Sequence, residues 1–562
     1  MQIIRSITIS IRIFPQFLCW LFIACLSSGM GLGCTTPTKE SSLPYPNILQ
    51  EWLQDNTHAR LIDFSYAGYQ NGKQPPSHKT FDLPRFDVTN YGAVPDDGQD
   101  DINGIQAAID AAAAVGGGIV AVPPGQFDFD VRTSKRFLRI THSNIILLGA
   151  GEGPDGTTIF DHAPSPTPNP EKPWLAGRFP SFVSVQPTWA VEEVSIVDHP
   201  ERLNTGVQPA TRGHFKMRVD DPERLQERSV YLLTQQEAAD SSLVKALTAP
   251  LTKIGSRHLV STGSAAYKMQ HLVRIERIEG DVVYLDAPLL MTLEKRWQPK
   301  LWAIPEMLQN VAVIGFRVTN NWQEEFHHHL NGEHDNGYNG VRFNYVENGW
   351  VQSIIAYNTS GVVGLKNSLN CSVFDCQIRG IPGHNGYTIG EASTRNLIYN
   401  CRAGYAMHSF SISGPASGNV FFNCSAGEPS AIDLHAGLGM SNLFDNILGP
   451  AYRHGGSPDA LPPAMGKHQV FWNWKAGRYE PYKGRIKNSV WQSDRLPAFI
   501  GVGVSGLYDQ PLYFQIGRKQ YSRDIDTLGL CVERFNESVG QPESLFLFQR
   551  TRRLGKDREL AF

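Results

Sequence analysis

A repeat of short segments between Asn339 and Gly449 most constrains what this chain can fold into. The segments that begin at Asn396, Asn419 and Asn442 align without gaps, and their starts lie 23 residues apart. Each unit is too short for a pair of helices, and its β-branched and aromatic runs are broken by Gly and Asn. A fixed period of this length is typical of a stack of similar coils. The sequence therefore predicts a solenoid built of β-strands.

The aligned units place similar residues above one another in two adjacent columns. We expect the polar column to form hydrogen bonds from rung to rung at a turn. We expect the sulfur column to be a small apolar stack inside the coil, because free cysteine behaves as a small buried hydrophobe. Metal binding or cross-linking is the lesser alternative, because no CxxC spacing is present. The polar column is Asp375, Asn400, Asn423 and Asn446, and the other is Cys376, Cys401, Cys424 and Ile447.

The N-terminus has the pattern of an export signal. Within residues 1–34, Arg5 and Arg12 precede an apolar run that is followed by small residues. The end of this segment loosely resembles a lipoprotein cleavage box, so an ordinary secretory signal and a lipid anchor at Cys34 are both open. The net charge of −3 does not favour nucleic acid as a partner. We expect an exported bacterial monomer. Its expected location is one of three: anchored to the outer membrane, in the periplasm or outside the cell.

Residues 86–125 carry a series of motifs in a fixed order. The series is Tyr91-Gly-Ala93, the acidic run Asp96–Asp101, an Ala-rich amphipathic helix over Ile102–Ala114, Gly116-Gly-Gly118 and Pro123-Pro-Gly125. It resembles the start of the pectate-lyase superfamily of right-handed parallel β-helices, and the resemblance covers roughly 86–185 and 302–450. It implies an all-β, right-handed parallel β-helix with an N-terminal capping helix, and it implies that the acidic run is structural.

The remaining segments interrupt or close the repeat. Residues 187–300 break the rung pattern and contain a predicted β-hairpin, His271–Asp286, around Gly280-Asp281. We expect them to form a small β-rich domain inserted into the solenoid, beside its groove. The predicted organisation is a signal peptide at 1–34, a tether and lead-in at 35–85, the N-terminal part of the β-helix at 86–186, the inserted domain at 187–300, the main part of the β-helix at 301–455, and C-terminal rungs with a cap at 456–562.

Alternation along the rungs gives a list of residues that point out of the coil. These residues are expected to gather on the outer face of one parallel sheet, next to the polar segment His327–Asp335. If that segment is a strand, only His327 and His329 of its three consecutive histidines would share a face for a metal ion. Calcium binding is left open, with Glu333 and Asp335 as candidates. The predicted outward set is Arg342, Asn344, Lys366, His384, His408, Asp433 and His435, with Tyr387 close by.

Cations and imidazoles with few carboxylates suit an acidic polysaccharide, and they suit its cleavage by β-elimination. This reaction needs a group that neutralises the uronate carboxylate, a base for the C5 proton and an acid for the O4 leaving group. The predicted roles are a carboxylate clamp at Arg342, a base at Lys366 or His408, an acid or second base at His435 oriented by Asp433, and substrate binding by His384, Asn344 and Tyr387. The resemblance implies Lys, Arg or His in these roles, often with calcium.

Two other functions are open. A glycoside hydrolase on the same fold would need two carboxylates, which Asp433 with Glu391, Glu333 or Asp335 could provide. The clustered aspartates of β-helix hydrolases that cut polygalacturonate are absent from the rungs. A non-catalytic carbohydrate-binding surface protein would need aromatic platforms, whereas titratable residues outnumber aromatic ones on the predicted face. A lyase for a uronate-containing polysaccharide is therefore the first hypothesis.

Overall fold

The computed structural model describes residues 45–80, 82–134, 137–165, 182–190, 195–255, 267–454, 463–477, 490–492, 495–507, 512–516, 519–527 and 529–555. All of these lie in one compact unit. Within these ranges, no helix has both the length and the apolar character needed to cross a membrane. The predicted signal peptide and Cys34 lie outside the described residues.

Two long sheets form the coil, and their pairings are parallel except for that of Ile525–Thr527 with Leu530–Glu533, which confirms the predicted parallel β-helix. Sheet 1 contains Arg85–Asp87, Gly118–Val122, Gly125–Phe129, Ile145–Gly149, Thr157–Asp161, Ala312–Asn320, Trp350–Tyr357, Ser372–Phe374, Gln377–Arg379, Leu397–Tyr399, Val420–Ser425, Leu443–Leu448, Val470–Ala476, Ile500–Val502, Ser505–Gly506, Ile525–Thr527 and Leu530–Glu533. Sheet 2 contains Leu138–Ile140, Val183–Val185, Asn339–Asn344, Gly361–Lys366, Asn385–Gly390, His408–Ser413, Ala431–His435 and Ala451–His454. Each strand of the main repeat pairs in parallel with the strand one rung later.

The interior of the coil is filled by the inward side chains of both sheets. The predicted sulfur column is buried, and its cysteines are free thiols. Phe421, Phe444 and Phe471 stack above one another, with ring centroids 5.1 and 5.4 Å apart. The inward residues predicted from alternation are also buried: Val341, Phe343, Val363, Leu365, Ile389, Phe410, Ile412, Ile432 and Leu434.

Two ladders of amide side chains fix the vertical register of the rungs. The predicted ladder runs from Asp375 through Asn400 and Asn423 to Asn446 along one turn. A second ladder, Asn396–Asn419–Asn442, is fully buried. In it, the backbone N–H of Asn396 donates to Asn419 Oδ1 (2.9 Å), and the Asn419 N–H donates to Asn442 Oδ1 (3.0 Å). Each of these side chains also donates to a backbone carbonyl, so buried polar groups at successive turns satisfy one another.

The helix Ile102–Ala114 lies at the start of the coil, as predicted. Its apolar face, which includes Ile102, Ile105, Ile109 and Ala112, is buried in the main core. This face packs against the first strands of sheets 1 and 2. The helix therefore covers apolar residues that the first coil would otherwise expose to water.

Both ends of the described chain pack on the outer face of sheet 1, which differs from the predicted organisation. Helix Asn47–Gln54 and the segment that follows it lie in the range predicted as a tether and lead-in, yet they form a second apolar core with helix Leu545–Leu554 and sheet 1. The Ser544 hydroxyl donates to Asp445 Oδ2 (2.7 Å) in the middle of the coil. Helix Leu545–Leu554, which we call the closing helix, therefore covers the outer face of sheet 1 and not the end of the coil. The reason is that the outward residues of sheet 1, such as Trp350 and Phe422, are themselves apolar.

Residues 203–303 contain a separate six-stranded sheet, here called the inserted sheet, in which every pairing is antiparallel. Its strands are Leu203–Gly206, Lys216–Arg218, Val230–Gln236, Lys268–Glu279, Val282–Leu285 and Lys300–Ala303. The predicted hairpin around Gly280-Asp281 is confirmed. The Arg274 guanidinium holds the buried Glu347 carboxylate of the coil at 2.6 and 2.7 Å, and the Leu272 N–H donates to Thr394 Oγ1 (3.0 Å). The sheet is therefore fastened to the side of the coil, while the boundaries assigned to an inserted domain stay a prediction.

Smaller elements complete the described structure. The other strands are Leu308–Gln309, Val346–Glu347, Val490–Gln492, Tyr513–Ile516 and Lys519–Tyr521, and the other helices are Tyr69–Gly72, Val131–Ser134, Ser242–Thr248 and Gly332–Asn336. Of these, the helix Gly332–Asn336 lies immediately before the first long strand of sheet 2.

The two ladders give a matched test of what stabilises the coil. We expect Asn419→Ala to lower the free energy of unfolding by about 2–4 kcal/mol, because buried groups of Asn396 and Asn442 lose their partners. Asn423→Gly, four residues later in the exposed ladder, keeps the left-handed backbone of that position and should change stability by less than about 1 kcal/mol. Urea denaturation followed by tryptophan fluorescence measures both. Equal losses in the two variants would contradict the assigned role of the buried ladder.

His271 in the inserted sheet should make stability depend on pH. Burial, with Arg395 nearby, lowers the pKa of His271 from 6.5 to about 3. Between pH 6.5 and pH 3 the unfolded chain takes up a proton at His271 that the folded chain excludes. The contribution of His271 to the free energy of unfolding is therefore fully present above pH 6.5, and it is lost as the pH falls towards 3. We expect His271→Leu to lose less stability than the wild type between pH 7.5 and pH 4.5 in urea denaturation. The control His142→Gln, at an exposed position, should follow the wild type, and an unchanged pH dependence in His271→Leu would refute the assignment.

Candidate functional site

The outer face of sheet 2 is polar, in contrast to the covered outer face of sheet 1. Cross-strand pairing places Arg342, Gly364, Thr388, Ser411 and Asp433 in one outward row, one residue per rung. The three central residues of this row are small. They lie between a cation at one end and a carboxylate at the other, and we call this outer face of sheet 2 the groove.

A parallel row contains the other predicted cation. Asn344 pairs with Lys366, Lys366 pairs with Gly390, and Ser413 pairs with His435. Lys366 is on the third strand from His435, so their backbones are about 14 Å apart at about 4.8 Å per strand. The structure therefore separates Lys366 from the imidazoles with which the sequence grouped it.

Arg342 and Lys366 line a cavity of about 230 Å³ between sheet 2 and the inserted sheet. Asn344 and Glu391 lie in the same wall, and Gln270 of the inserted sheet faces them. Asn344 is buried, and its side chain bonds to the amides of Gln186 (3.4 Å) and Asn367 (3.1 Å). Asn344 thus belongs to a structural group of three amides at this end of the groove.

At the other end, three histidines from successive rungs lie side by side, and two of them contact one buried carboxylate. His435 Nδ1 lies 2.8 Å from Asp433 Oδ2, and His408 Nδ1 lies 3.1 Å from the same oxygen. The ring centroids of His384 and His408 are 5.0 Å apart, and those of His408 and His435 are 6.0 Å apart. The Asp433 side chain is 2% exposed, whereas that of His435 is 44% exposed. The cluster therefore consists of an exposed imidazole over a buried carboxylate, with two buried imidazoles beside it.

The segment before sheet 2 adds two more imidazoles to this cluster. His328 and His329 are in a turn, and His329 has a left-handed backbone with φ +60°. Because the turn breaks strand alternation, the prediction that His327 and His329 would share a face is wrong. His328 and His329 are the neighbours, with ring centroids 3.6 Å apart, and His328 also lies 4.9 Å from His384 and 5.8 Å from His408.

Asp335 holds this second part of the cluster in place. The backbone N–H of His329 donates to Asp335 Oδ1 and its Nδ1 lies 2.9 Å from Oδ2, so both carboxylate oxygens have a partner. His384 Nδ1 lies 3.1 Å from the backbone oxygen of Asp335. Burial, together with His328, lowers the pKa of His384 to about 3, so its imidazole is neutral near pH 7.

The geometry favours nitrogen ligands over oxygen ligands for a metal ion. One ring nitrogen from each of His328, His329 and His384 lies within 4.8 Å of the other two. The predicted calcium candidates do not converge, because Glu333 is exposed, whereas Asp335 is buried beneath His329.

Tyr387, predicted to bind substrate, lies inside the coil instead. It is fully buried, its ring stacks on Phe410 with centroids 5.9 Å apart, and its hydroxyl donates to the backbone oxygen of Arg402. Strand alternation explains the correction, because Thr388 points outward and its neighbour must point inward.

The sequence argument missed His328 and the role of Asp335. A signal for the latter was available, because Asn331 three residues before His334 has the spacing of a helix cap, and Asn331 Oδ1 accepts from the His334 N–H (3.0 Å). The cap fixes the short helix that places Asp335 under the histidines. No sequence pattern indicated the left-handed turn at His329.

Two family profiles match parts of the chain. One, described as rhamnogalacturonase A/epimerase, pectate lyase-like, matches residues 85–160. The other, described as a domain of unknown function (DUF4955), matches residues 405–560, which include His408, Asp433, His435 and the closing helix.

The chain is also similar to known proteins over limited lengths. It is 42% identical over 69 residues to mannuronan C5-epimerase AlgE3 of Azotobacter vinelandii, which is 12% of this chain and 4% of that protein. It is 42% identical over 77 residues to mannuronan C5-epimerase AlgE6 of the same organism, which is 14% of this chain and 9% of that protein. The chain thus spans less than a tenth of the length of these curated relatives.

Among solved structures, the tailspike gp61 of Pseudomonas phage phi297 is 11% identical, with a TM-score of 0.42 over 78% of this chain and 70% of that one. The capping helix Ile102–Ala114 lies within the residues that match the rhamnogalacturonase A/epimerase, pectate lyase-like profile. Residues 85–160 thus match a pectate lyase-like profile, and they lie in a parallel β-helix, the fold that the sequence resemblance implies.

Proposed function

We propose that this protein is a polysaccharide-active enzyme that removes the C5 proton of a uronate residue and cleaves the chain by β-elimination. The observation that carries the proposal is the pairing of His435 with the buried Asp433 at one end of the groove. A carboxylate accepts here, so Asp433 holds the proton of His435 on Nδ1, and Nε2 is the unprotonated nitrogen that acts as the base. This arrangement is common among catalytic histidines.

The reaction needs no further reactant. His435 Nε2 takes the C5 proton, the C5–H electron pair forms the C4=C5 double bond, and the C4–O4 bond breaks. The leaving O4 gains a proton, for which the neighbouring His408 is the proposed donor. The products are an unsaturated uronate at one new end and an ordinary reducing sugar at the other. General acid and base groups of this kind typically contribute about 10²–10⁴-fold to the rate.

Arg342 and Lys366 take a binding role in this proposal. They lie at the opposite end of the groove, beyond two rungs of small residues, which is too far for contact with the sugar that reacts at His435. Two cations there suit the carboxylate of a uronate residue elsewhere on the same polymer. The proposed substrate is therefore a polymer that carries repeated carboxylates.

Hydrolysis is less well supported by this arrangement. Asp433 and Asp335 are both buried, and each already holds imidazoles, so neither is placed to flank a glycosidic bond in the way hydrolases require. Glu391 lies at the Arg342 end of the groove. C5 epimerisation is the second candidate, because the curated relatives are C5-epimerases and both reactions begin with loss of the C5 proton.

A panel of uronate polymers, with and without added calcium, tests the reaction class. Near-ultraviolet absorbance reports the unsaturated product, reducing ends report chain cleavage, and exchange of C5 protons with deuterated solvent reports epimerisation. We expect absorbance and reducing ends to rise together on at least one polymer. Reducing ends alone would mean hydrolysis, and exchange without cleavage would mean epimerisation.

The His435–Asp433 pair has a matched counterpart elsewhere in the chain. We expect His435→Gln and Asp433→Asn each to lower kcat by about 10²–10⁴-fold, because the base or its orientation is lost. His162 Nε2 lies 2.7 Å from Asp128 Oδ1 beside sheet 1, with similar exposure, and His162→Gln should leave kcat unchanged. Comparable losses in all three variants would show that kcat does not depend specifically on this pair.

A variant at Lys366 distinguishes substrate binding from proton transfer. We expect Lys366→Ala to raise KM by about 10-fold or more while kcat changes little, because the residue holds a distant carboxylate. Steady-state kinetics on the active polymer measures both constants, and Arg379→Ala, an exposed cation at the end of a strand of sheet 1, is the control. A loss of kcat as large as that of His435→Gln would instead make Lys366 the base.

A further inference from the structure

We propose that His328, His329 and His384 bind one divalent transition-metal ion of the Zn²⁺ class. One ring nitrogen of each residue lies within 4.8 Å of the other two. Zinc–imidazole bonds are about 2.0–2.1 Å long, which places two tetrahedral ligands roughly 3.4 Å apart, so the nitrogens need to approach one another by at most about 1.5 Å to bind the same ion.

Asp335 fixes which nitrogen two of these histidines present. Its Oδ2 lies 2.9 Å from His329 Nδ1, and its backbone oxygen lies 3.1 Å from His384 Nδ1. Both oxygens are acceptors, so both Nδ1 atoms carry the proton and Nε2 is the unprotonated nitrogen of each ring. Metal-binding histidines typically donate their other nitrogen to a carboxylate or a backbone oxygen in this way.

The backbone around the three histidines is also specialised. His329 has a left-handed conformation, which is uncommon for a residue other than glycine. It is held there by the bond from its backbone N–H to Asp335 Oδ1 (2.9 Å), and Asp335 itself is 0% exposed in the short helix capped by Asn331. The protein therefore maintains an unfavourable backbone conformation that brings two adjacent imidazoles together beside His384.

The donor set selects the type of ion. Three neutral imidazoles suit zinc, copper, nickel or iron, whereas calcium requires several oxygen ligands. Both carboxylate oxygens of Asp335 already bond to His329, and Glu333 is exposed. We therefore expect Zn²⁺ to bind and Ca²⁺ not to compete with it.

The position of the ion gives it a role in the reaction, and this role rests on the proposed function. His328 and His384 lie 5.8 and 5.0 Å from His408 between ring centroids. Three protein ligands leave a position on the ion for one more donor, as in catalytic zinc sites. A uronate carboxylate there would be neutralised at the end of the groove where proton transfer takes place, which Arg342 is too distant to do.

The test is metal binding by the full chain in the absence of any sugar. Protein stripped with a chelator is titrated with Zn²⁺ by calorimetry and with Co²⁺ by visible absorption, and bound zinc is counted by mass spectrometry. We expect one equivalent of metal and a tetrahedral Co²⁺ spectrum. His329→Gln and His384→Gln should each weaken binding by about 100-fold or more, and Asp335→Asn by about 10–100-fold.

His435→Gln is the matched control, because it removes a histidine of the same cluster that is not among the three ligands. It should bind metal as the wild type does, and circular dichroism should show that every variant is folded. His329, whose side chain is 43% exposed, is the variant whose loss depends least on the core. Wild-type protein that takes up no metal, or equal affinity in His329→Gln, would overturn the proposal.

Metal binding and β-elimination can fail independently. Metal uptake without any polymer cleavage would keep the metal site and remove the proposed function. Elimination that is equally fast in stripped wild type and in His329→Gln would keep the proposed function and remove the catalytic role of the ion.

Discussion

The hydrogen bonds that lock one rung to the next are the interaction on which this structure depends. A parallel coil has no sequence-specific pairing between backbones, so a strand could slip along its neighbour unless side chains prevent it. Asn396, Asn419 and Asn442 prevent this in the middle of the coil, because each accepts from the backbone of the rung before it. A slip would leave several buried polar groups without partners, at about 1–3 kcal/mol for each.

The candidate site is a direct product of that register. His384, His408 and His435 are distant in the sequence, and they meet only because their rungs are stacked in one alignment. Two buried residues, Asp433 and Asp335, then orient the imidazole rings through hydrogen bonds. Asp433 holds His408 and His435, and Asp335 holds His329 and His384 from the other side. The buried part of the site is thus two carboxylates with the imidazoles of His384 and His408, and the exposed part is the imidazoles of His329 and His435.

Sequence reasoning succeeded where a pattern repeats. The 23-residue period predicted the coil, the aligned columns predicted the exposed ladder and the sulfur stack, and alternation predicted which residues of sheet 2 face out. It also placed Asp433 and His435 on one face, two residues apart on one strand. It failed where a feature occurs once. The turn at His329 has no periodic signal, and the left-handed conformation that joins His328 to His329 depends on a bond to Asp335 that only the folded chain contains.

Two further failures have a common physical cause. Residues 45–72 and 545–554 were not recognised as a cover, because the strands of sheet 1 are apolar on both faces and a strand pattern alone does not show which face is exposed. Separating Lys366 from His435 required counting strands across the sheet, whereas the sequence gives only the direction in which each side chain points.

The cover on sheet 1 has a consequence for how the protein is made. Gln549 donates to the backbone oxygen of Ile62 and accepts from the Phe64 N–H, so it joins segments 485 or more residues apart. At about 5–20 residues per second, a ribosome needs roughly half a minute or longer to reach the second of these segments after the first. Throughout that time the rungs can stack one by one, but the outer apolar face of sheet 1 is covered by the N-terminal segment alone, because the closing helix has not yet been made. The nascent chain is therefore a growing coil with one open hydrophobic side, a natural substrate for chaperones until its last helix is made.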